Sequence, residues 1–241
     1  MKKIITLFVL MHCLCANAQE NAGEYMYICR NSSVERMLIS EIDSVTFVEP
    51  TSLIQHQAVD LGLSIKWASC NVGATKPEEY GGYYAWGEIV EKEDYSWDTY
   101  KWCIDGGDTM IKYCTDGKYG SQDNKIVLNL EDDVAHVKWG GNWRMPTFAE
   151  LKELCNCCIW QWTNINGVNG HKVTGPNGNS IFLPAAGIRS EKDIYDVGEY
   201  GYCWSSLHGD DNAYDIYFSD GSYGWGDEYR CCGVTVRPVC E

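Results

Sequence analysis

The chain has 241 residues, 45 % of them aliphatic, aromatic, Met or Cys, enough for a packed core and too many for a disordered chain. Its 19 Lys and Arg stand against 34 Asp and Glu, a formal net charge of −15. That balance repels phosphate backbones and anionic membranes and argues against nucleic acid as a partner.

The first 18 residues read as an export signal. Lys2 and Lys3 supply a positive start, Ile4 to Leu14 an apolar run too short to cross a bilayer, and Ala16-Asn17-Ala18 a small-residue cleavage site. No later segment is long and apolar enough to span, so no transmembrane segment is expected. Cleavage after residue 18 removes two lysines and no acid, taking the formal charge from −15 to −17. Cys13 and Cys15 lie inside the signal. His12 and Leu14 precede them where a lipidation site wants a small residue, which favours a soluble exported or surface-associated product over a lipoprotein, with periplasm and outer membrane as alternatives. Of the 13 cysteines, eleven then remain. In an exported chain some disulfides are the expectation. The crowding of Cys155, Cys157 and Cys158 fits neither a disulfide framework nor the paired spacing of a zinc site.

Residues 19–50 form a small β segment: two alternating apolar runs around Asn31-Ser32-Ser33, then a third from Ser44 to Val48. Residues 51–56 carry turn chemistry without a period and read as a linker. Residues 57–241 are rich in Gly, Trp and Tyr, with many short strands and turns. Two helices are predicted there. In "NLEDDVAHVKWGG", Asn129 caps, the following acids suit the positive helix start, Val134 and Val137 face inward, Lys138 faces outward and Gly140-Gly141 ends the run. His136 on it reads as a surface or packing residue. In "RMPTFAELKELCN", Thr147 and Glu150 make a capping box, while Phe148, Leu151, Leu154 and Cys155 form one apolar side. "NINGVNGHKV" and "GPNGNSIFLPAAG" carry Asn-Gly turns between β-rich runs. Helices early and strands late give an α+β fold with short, irregular antiparallel sheets. Trp67, Trp86, Trp139, Trp143 and Trp204 are core candidates, and Arg237 is expected to pair with an acid and close the domain.

The candidate site is the C-terminal stretch. Between residues 202 and 233, Tyr, Cys, Ser, His, Gly, Asp and Asn occupy 24 of 32 positions. Tyr and Trp give rigid contact area, while Ser, Gly, Asp and Asn adapt their hydrogen bonds. Tyr202, Tyr214, Tyr217, Tyr223, Trp225 and Tyr229 would supply contact, and His208, Asp210, Asp211, Asp215, Asp220 and Asp227 polar specificity. The same seven amino acids are reached from an Asn codon by changes at its two adenines. The stretch therefore reads either as a sequence-diversified binding surface on an apolar scaffold or as an ordinary Tyr/Gly/Asp-rich β surface. Ser205, His208 and Asp210 include a serine, a histidine and an acid, but no Gly-x-Ser-x-Gly elbow surrounds the serine. No histidine, including His171 in a Gly/Asn turn region, is tied to a particular thiol. Asp105, Asp108 and Asp116, and Asp210 with Asp211, are acids in Gly-rich loops that calcium could use, without the EF-hand spacing. Apart from that option no cofactor is expected.

"VDLGLSIKWASCNVGATKPEEYGGYYAWGE", "WGGNWRMPTFAELKEL", "GNSIFLPAAG" and "VTVRPV" occur in an order that resembles the Fibrobacter succinogenes major paralogous domain family, over about residues 57–241. That resemblance implies a C-type-lectin-like fold in an exported protein of Bacteroides-type bacteria. It also brings likeness to sulfatase-modifying-factor domains and to the variable proteins of diversity-generating retroelements. In that fold the C-terminal third carries ligand binding, which makes Tyr202 to Gly233 the corresponding part. The calcium-binding triplets of sugar lectins are absent: after Trp204 come two serines. The implied function is a non-enzymatic, exported binding protein that takes an extracellular protein or glycan. The alternatives are a formylglycine-generating-like thiol enzyme using Cys231 or Cys232, and a structural surface or adhesin-tip subunit.

Overall fold

The computed structural model describes residues 25–30, 33–39, 56–209 and 211–241. The chain divides into two units, Met1–Leu53 and Ile54–Glu241. In the first, β1 (Tyr25–Arg30) and β2 (Ser33–Leu38) pair antiparallel, from Tyr25 opposite Leu38 to Arg30 opposite Ser33. The export segment, the third run Ser44 to Val48 and linker residues 51–55 lie outside the described residues.

The second unit is α+β and rich in sheet. Strands β3 (Ala58–Val59) and β4 (Lys66–Ala68) are joined by the last strand, β15 (Val239–Cys240), so the two ends of the unit share a sheet. Next come β5 (Cys103–Ile104) with β6 (Thr109–Met110), then the helices α1 (Val134–Trp139) and α2 (Phe148–Cys157). A three-stranded meander follows: β7 (Ile159–Ile165), β8 (Val168–Thr174) and β9 (Ser180–Pro184). Its turns are the Asn166-Gly167 and Asn177-Gly178 pairs; Asn166, Gly167 and Gly178 all take positive φ, as Asn-Gly chemistry favours. The hairpin β10 (Ile188–Ser190) and β11 (Asp193–Tyr195) leads into β12 (Tyr200–His208), β13 (Asn212–Ser219) and β14 (Tyr223–Tyr229), again in sequential order.

Helix α2 forms as its sequence predicts. Glu150 N–H donates to Thr147 Oγ1 at 3.3 Å, and Thr147 N–H donates to Glu150 Oε2 at 2.7 Å. Arg144 then grips Glu150 with two bonds of 2.8 and 2.6 Å. Leu151, Leu154 and Cys155 are buried, while Phe148 at the first turn is half-buried. Helix α1 departs from expectation. Asn129 caps only a short 3-10 turn at Leu130–Asp132, without a side-chain bond, and the helix starts after Asp133. The Asp133 carboxylate accepts from the N–H groups of Ala135 and His136, at 2.9 and 3.0 Å, and reaches Met145 N–H as well. That carboxylate displaces Asn129 as the cap because it serves two helix donors and ties the helix to the chain ahead of α2. Val134 and Ala135 face inward, and Val137 is exposed.

Strand β12 runs between two apolar clusters. One holds Leu151 and Leu154 of α2, Trp67, Val173 and Leu183, with Cys203, Ile216 and Phe218. The other holds Trp86, Tyr84, Val134, Met145, Val234 and Val236, with Trp204 and Ala213. Trp67, Trp86 and Trp204 are fully buried, as expected. Trp139 and Trp143 are only half-buried. At the surface end of α1 they cover His56, whose ring stacks on Trp139 at 3.5 Å.

Arg237 is fully buried, but its partners are not acids. Nε donates to Asn71 Oδ1 at 2.8 Å, Nη1 to Ala68 O at 3.1 Å and Nη2 to Phe182 O at 2.8 Å. The expected disulfides are also not formed: all ten described cysteine side chains are free thiols, and all but Cys157 are buried. They pack as small apolar groups, and burial pushes the Cys155 thiol up to about 12 and Cys203 to about 11. Replacing Arg237 by Met strands three buried acceptors. It is expected to lower stability by on the order of 3 kcal/mol or more, read as a lower urea midpoint at unchanged slope.

Candidate functional site

The β12–β14 sheet carries most of the predicted site residues, and its pleat sorts them. In β13, Tyr217 pairs with Tyr202 of β12 and Gly224 of β14, while Asp215 pairs with Trp204 and Gly226. Directly opposed residues project to the same side. One side, which packs on α2 and β7, therefore bears Tyr214, Ile216 and Phe218, then Tyr223, Trp225, Asp227 and Tyr229. The far side bears Tyr200, Tyr202 and Trp204, then Asp215 and Tyr217, then Gly224, Gly226 and Glu228. A surface expected to be single is two surfaces back to back.

On the α2 side, β14 is the outer strand and its side chains overhang the helix. Tyr223, Trp225 and Tyr229 are 43, 47 and 52 % exposed. Tyr223 stacks on Trp160 at 4.7 Å, which fixes its ring while leaving one surface open. Exposed Asp227 accepts from the Asn212 amide. Tyr214 is instead taken up internally, stacked on Phe148 of α2 at 4.3 Å. Asp220 is exposed in the β13–β14 turn, and Asp211 is exposed before β13. Asp211 helps line a cleft of about 10 Å³ above the buried Arg230, room for one water. Asp210 lies outside the described residues.

His208 does not belong to a binding surface. The pairing of β12 with β13 shifts between Trp204 and His208, and this end of β12 runs under the segment before α1. His208 is buried there, its Nε2 2.8 Å from Lys125 O and its ring edge-on to Trp86. Ser205 is buried too, bonded to Leu207 O at 3.1 Å. Serine and histidine thus each bond to backbone groups rather than to one another. His171 stands inside β8 rather than in a turn, its Nε2 2.8 Å from Ser219 O.

On the far side, Asp215 is 1 % exposed and its Oδ2 has no hydrogen-bond partner. Burial, then the charges of Glu228 and Asp227, raise it well above the ordinary carboxylate range. Glu228 is also raised, by burial and by Asp227. Burial chiefly, and then the acids Asp196, Glu228 and Asp215, push the Tyr202 phenol up to about 12. Tyr217 is 37 % exposed and Tyr200 38 %. Tyr200, Glu228, Gly224 and Gly226 were missed in the sequence. The signal that could have found them was the two-residue period, which places each beside Tyr202, Asp215 or Tyr217 once the register is known.

Cys231 and Cys232 are buried in a cluster with Tyr100, Cys103 and Cys114. A hydrogen bond between the two thiols raises Cys231 and lowers Cys232. Of the calcium candidates, Asp105 is in a turn at φ 57° and Asp116 accepts from Lys118 N–H. Among the described residues no three His, Cys, Asp or Glu side chains gather to hold an ion. Compared with known proteins, the chain matches no family model, no curated protein and no solved structure.

Replacing Asp215 by Asn tests the buried acid. Below the ordinary value of 3.8 both the folded and unfolded chains hold the proton, so the acid contributes nothing. Above it the unfolded chain ionises while the folded one keeps its proton, so stability falls as pH rises towards the folded value. The Asn variant escapes this loss. It is expected to be more stable than the parent by about 1–3 kcal/mol at neutral pH, the difference closing near pH 3 in thermal melts.

Proposed function

We propose that the chain is an exported, non-enzymatic binding module of C-type-lectin-like fold, and that the β12–β14 sheet meets an extracellular protein. The observation that carries this reading is the outer strand. Along β14, Tyr223, Trp225 and Tyr229 keep about half of their surface in water, with an acid between the last two. Elsewhere in the unit Trp67, Trp86, Tyr84, Tyr95, Tyr100 and Tyr113 are buried, while Tyr195, Tyr200 and Tyr217 are exposed one to a strand. Rigid aromatic groups rimmed by polar ones are the composition of protein-binding surfaces. The small antiparallel sheets, the two helices and the sheet shared by the unit's first and last strands support the fold assignment. Lys2, Lys3, the apolar run to Leu14 and Ala16-Asn17-Ala18 support export.

Protein is favoured over glycan by the outer strand. The outer edge of β14 has no pairing partner among the described strands, and a free strand edge is what an extended peptide segment pairs with. The test is a screen of the labelled chain against arrayed secreted and cell-surface proteins and against a glycan array, repeated with Trp225→Ala. Trp225 is exposed, so the variant is expected to change stability by no more than about 0.5 kcal/mol while weakening binding by about 2 kcal/mol. Binding confined to glycans replaces the ligand class, and binding indifferent to Trp225→Ala moves the site elsewhere.

A further inference from the structure

We infer that the far side of the β12–β14 sheet is the seat for an alkylammonium, the lysine side chain of a protein partner, with Asp215 and Glu228 as its anions and Tyr202 and Tyr217 as its walls. This rests on reading the sheet as a binding surface, and it names the chemistry that the surface recognises.

Asp215 is the reason. Its carboxyl is buried with one oxygen unpartnered, an arrangement that costs free energy unless a donor arrives. The charged groups acting on it are Glu228 and Asp227 of β14, both acids; from β12 the titratable neighbours are Tyr202 and Cys203. Once ionised, these acids would make the far side negative at its centre, and the ligand that stabilises that form is a cation. The neighbouring strand carries no side chain at Gly224 or Gly226. A Cβ on Gly226 would meet Asp215 Oδ1 and Tyr217 Cδ1, each at 3.4 Å, and one on Gly224 would meet Tyr217 Oη at 3.1 Å. Two bare positions on β14 therefore let the acid and the phenol ring lean across it. A cation between them has ring surface within reach on the tyrosines, which adds attraction.

Lysine fits better than arginine. A guanidinium gains most from a carboxylate that offers both oxygens as a fork. Here Oδ1 lies close over Gly226 and Oδ2 alone is unpartnered, which suits a compact ammonium with three donors shared between two carboxyls. Because both acids are raised in the free protein, a bound ammonium favours their ionised forms and proton release accompanies binding.

The test is calorimetric titration of the full chain near pH 6 with Nα-acetyl-lysine methylamide, in two buffers of different ionisation enthalpy. The Nε-acetylated analogue and Nα-acetyl-arginine methylamide are run in parallel. Saturable binding of the lysine probe with net proton release is expected, with none from the acetylated analogue and weaker binding of arginine. Asp215→Asn, which is expected to fold, should lower affinity by about tenfold or more and abolish the proton release, and Glu228→Gln should reduce both. No saturable binding of lysine, equal binding of arginine, or a response unchanged in Asp215→Asn overturns the proposal. If the array screen yields a protein ligand sensitive to Trp225 while the lysine probe fails, this inference falls and the binding-module reading stands. If both fail, the sheet is not a binding surface.

Discussion

Arg237 joins parts of the second unit that are far apart in sequence. Its three acceptors belong to residues 166, 169 and 55 positions away, on the loop after β4, on β4 itself and on β9. Burial lowers its basicity to about 10, so it remains a cation at neutral pH. A carboxylate partner would have made a closed pair inside the core. Amide and carbonyl oxygens instead make the guanidinium a fork between backbone segments, each otherwise left with a buried acceptor. The next residues form β15, which pairs with β4. The meander, the terminal sheet and the chain's end are thereby held against one another, and Leu183 and Val239 contribute to the same apolar cluster as α2.

That fixed base explains how so polar a stretch as 202–233 folds. Three of its large apolar residues, Trp204, Ile216 and Phe218, are fully buried, and they point to opposite sides of the sheet. Trp204 enters one cluster while Ile216 and Phe218 enter the other. β12 is consequently clamped from both sides, and β13 leans on it through a pleated ladder. β14 is paired on one edge alone, by β13, with further contacts from α2, Trp160 and Trp97, and its aromatic side chains stay half exposed. Anchoring and display are divided between strands, and a surface of Tyr and Trp survives without collapsing inward.

The local signals were legible in the sequence. The Thr147–Glu150 box and the Asn-Gly turns each involve groups within a few residues, so spacing alone specifies them. The burial of Trp67, Trp86 and Trp204 followed from residue type. What failed was non-local. Alternation along β12 to β14 announces two sides, but not which neighbours cover each. Asp215 and His208 therefore looked like surface residues and are buried. His208 was misread for a further reason: the irregular pairing before it sends the end of β12 under another segment, and no residue type marks that shift. Arg237 was correctly singled out, but the choice between acid and carbonyl partners depends on segments that only the fold brings near. Composition also misled in detail. Among the residues reachable from an Asn codon several are core, whereas Trp225, named for contact on its residue type, is exposed.

The buried carboxyl of Asp215 shows how stability and recognition can be set against each other in one residue. In this position an amide has nearly the same shape and carries no proton to lose, so packing alone gives no reason for an acid. The chain's excess of negative charge makes an additional buried anion costlier still, since Glu228 and Asp227 act on it in the same direction. The free chain avoids that cost by keeping the proton, and an interaction with a partner would offset it. A cation brought by a partner is such an interaction: it relieves the repulsion among the acids and satisfies the unpartnered oxygen. The ionised acid is then stabilised in the complex alone, which couples affinity to charge and leaves the free protein holding the proton.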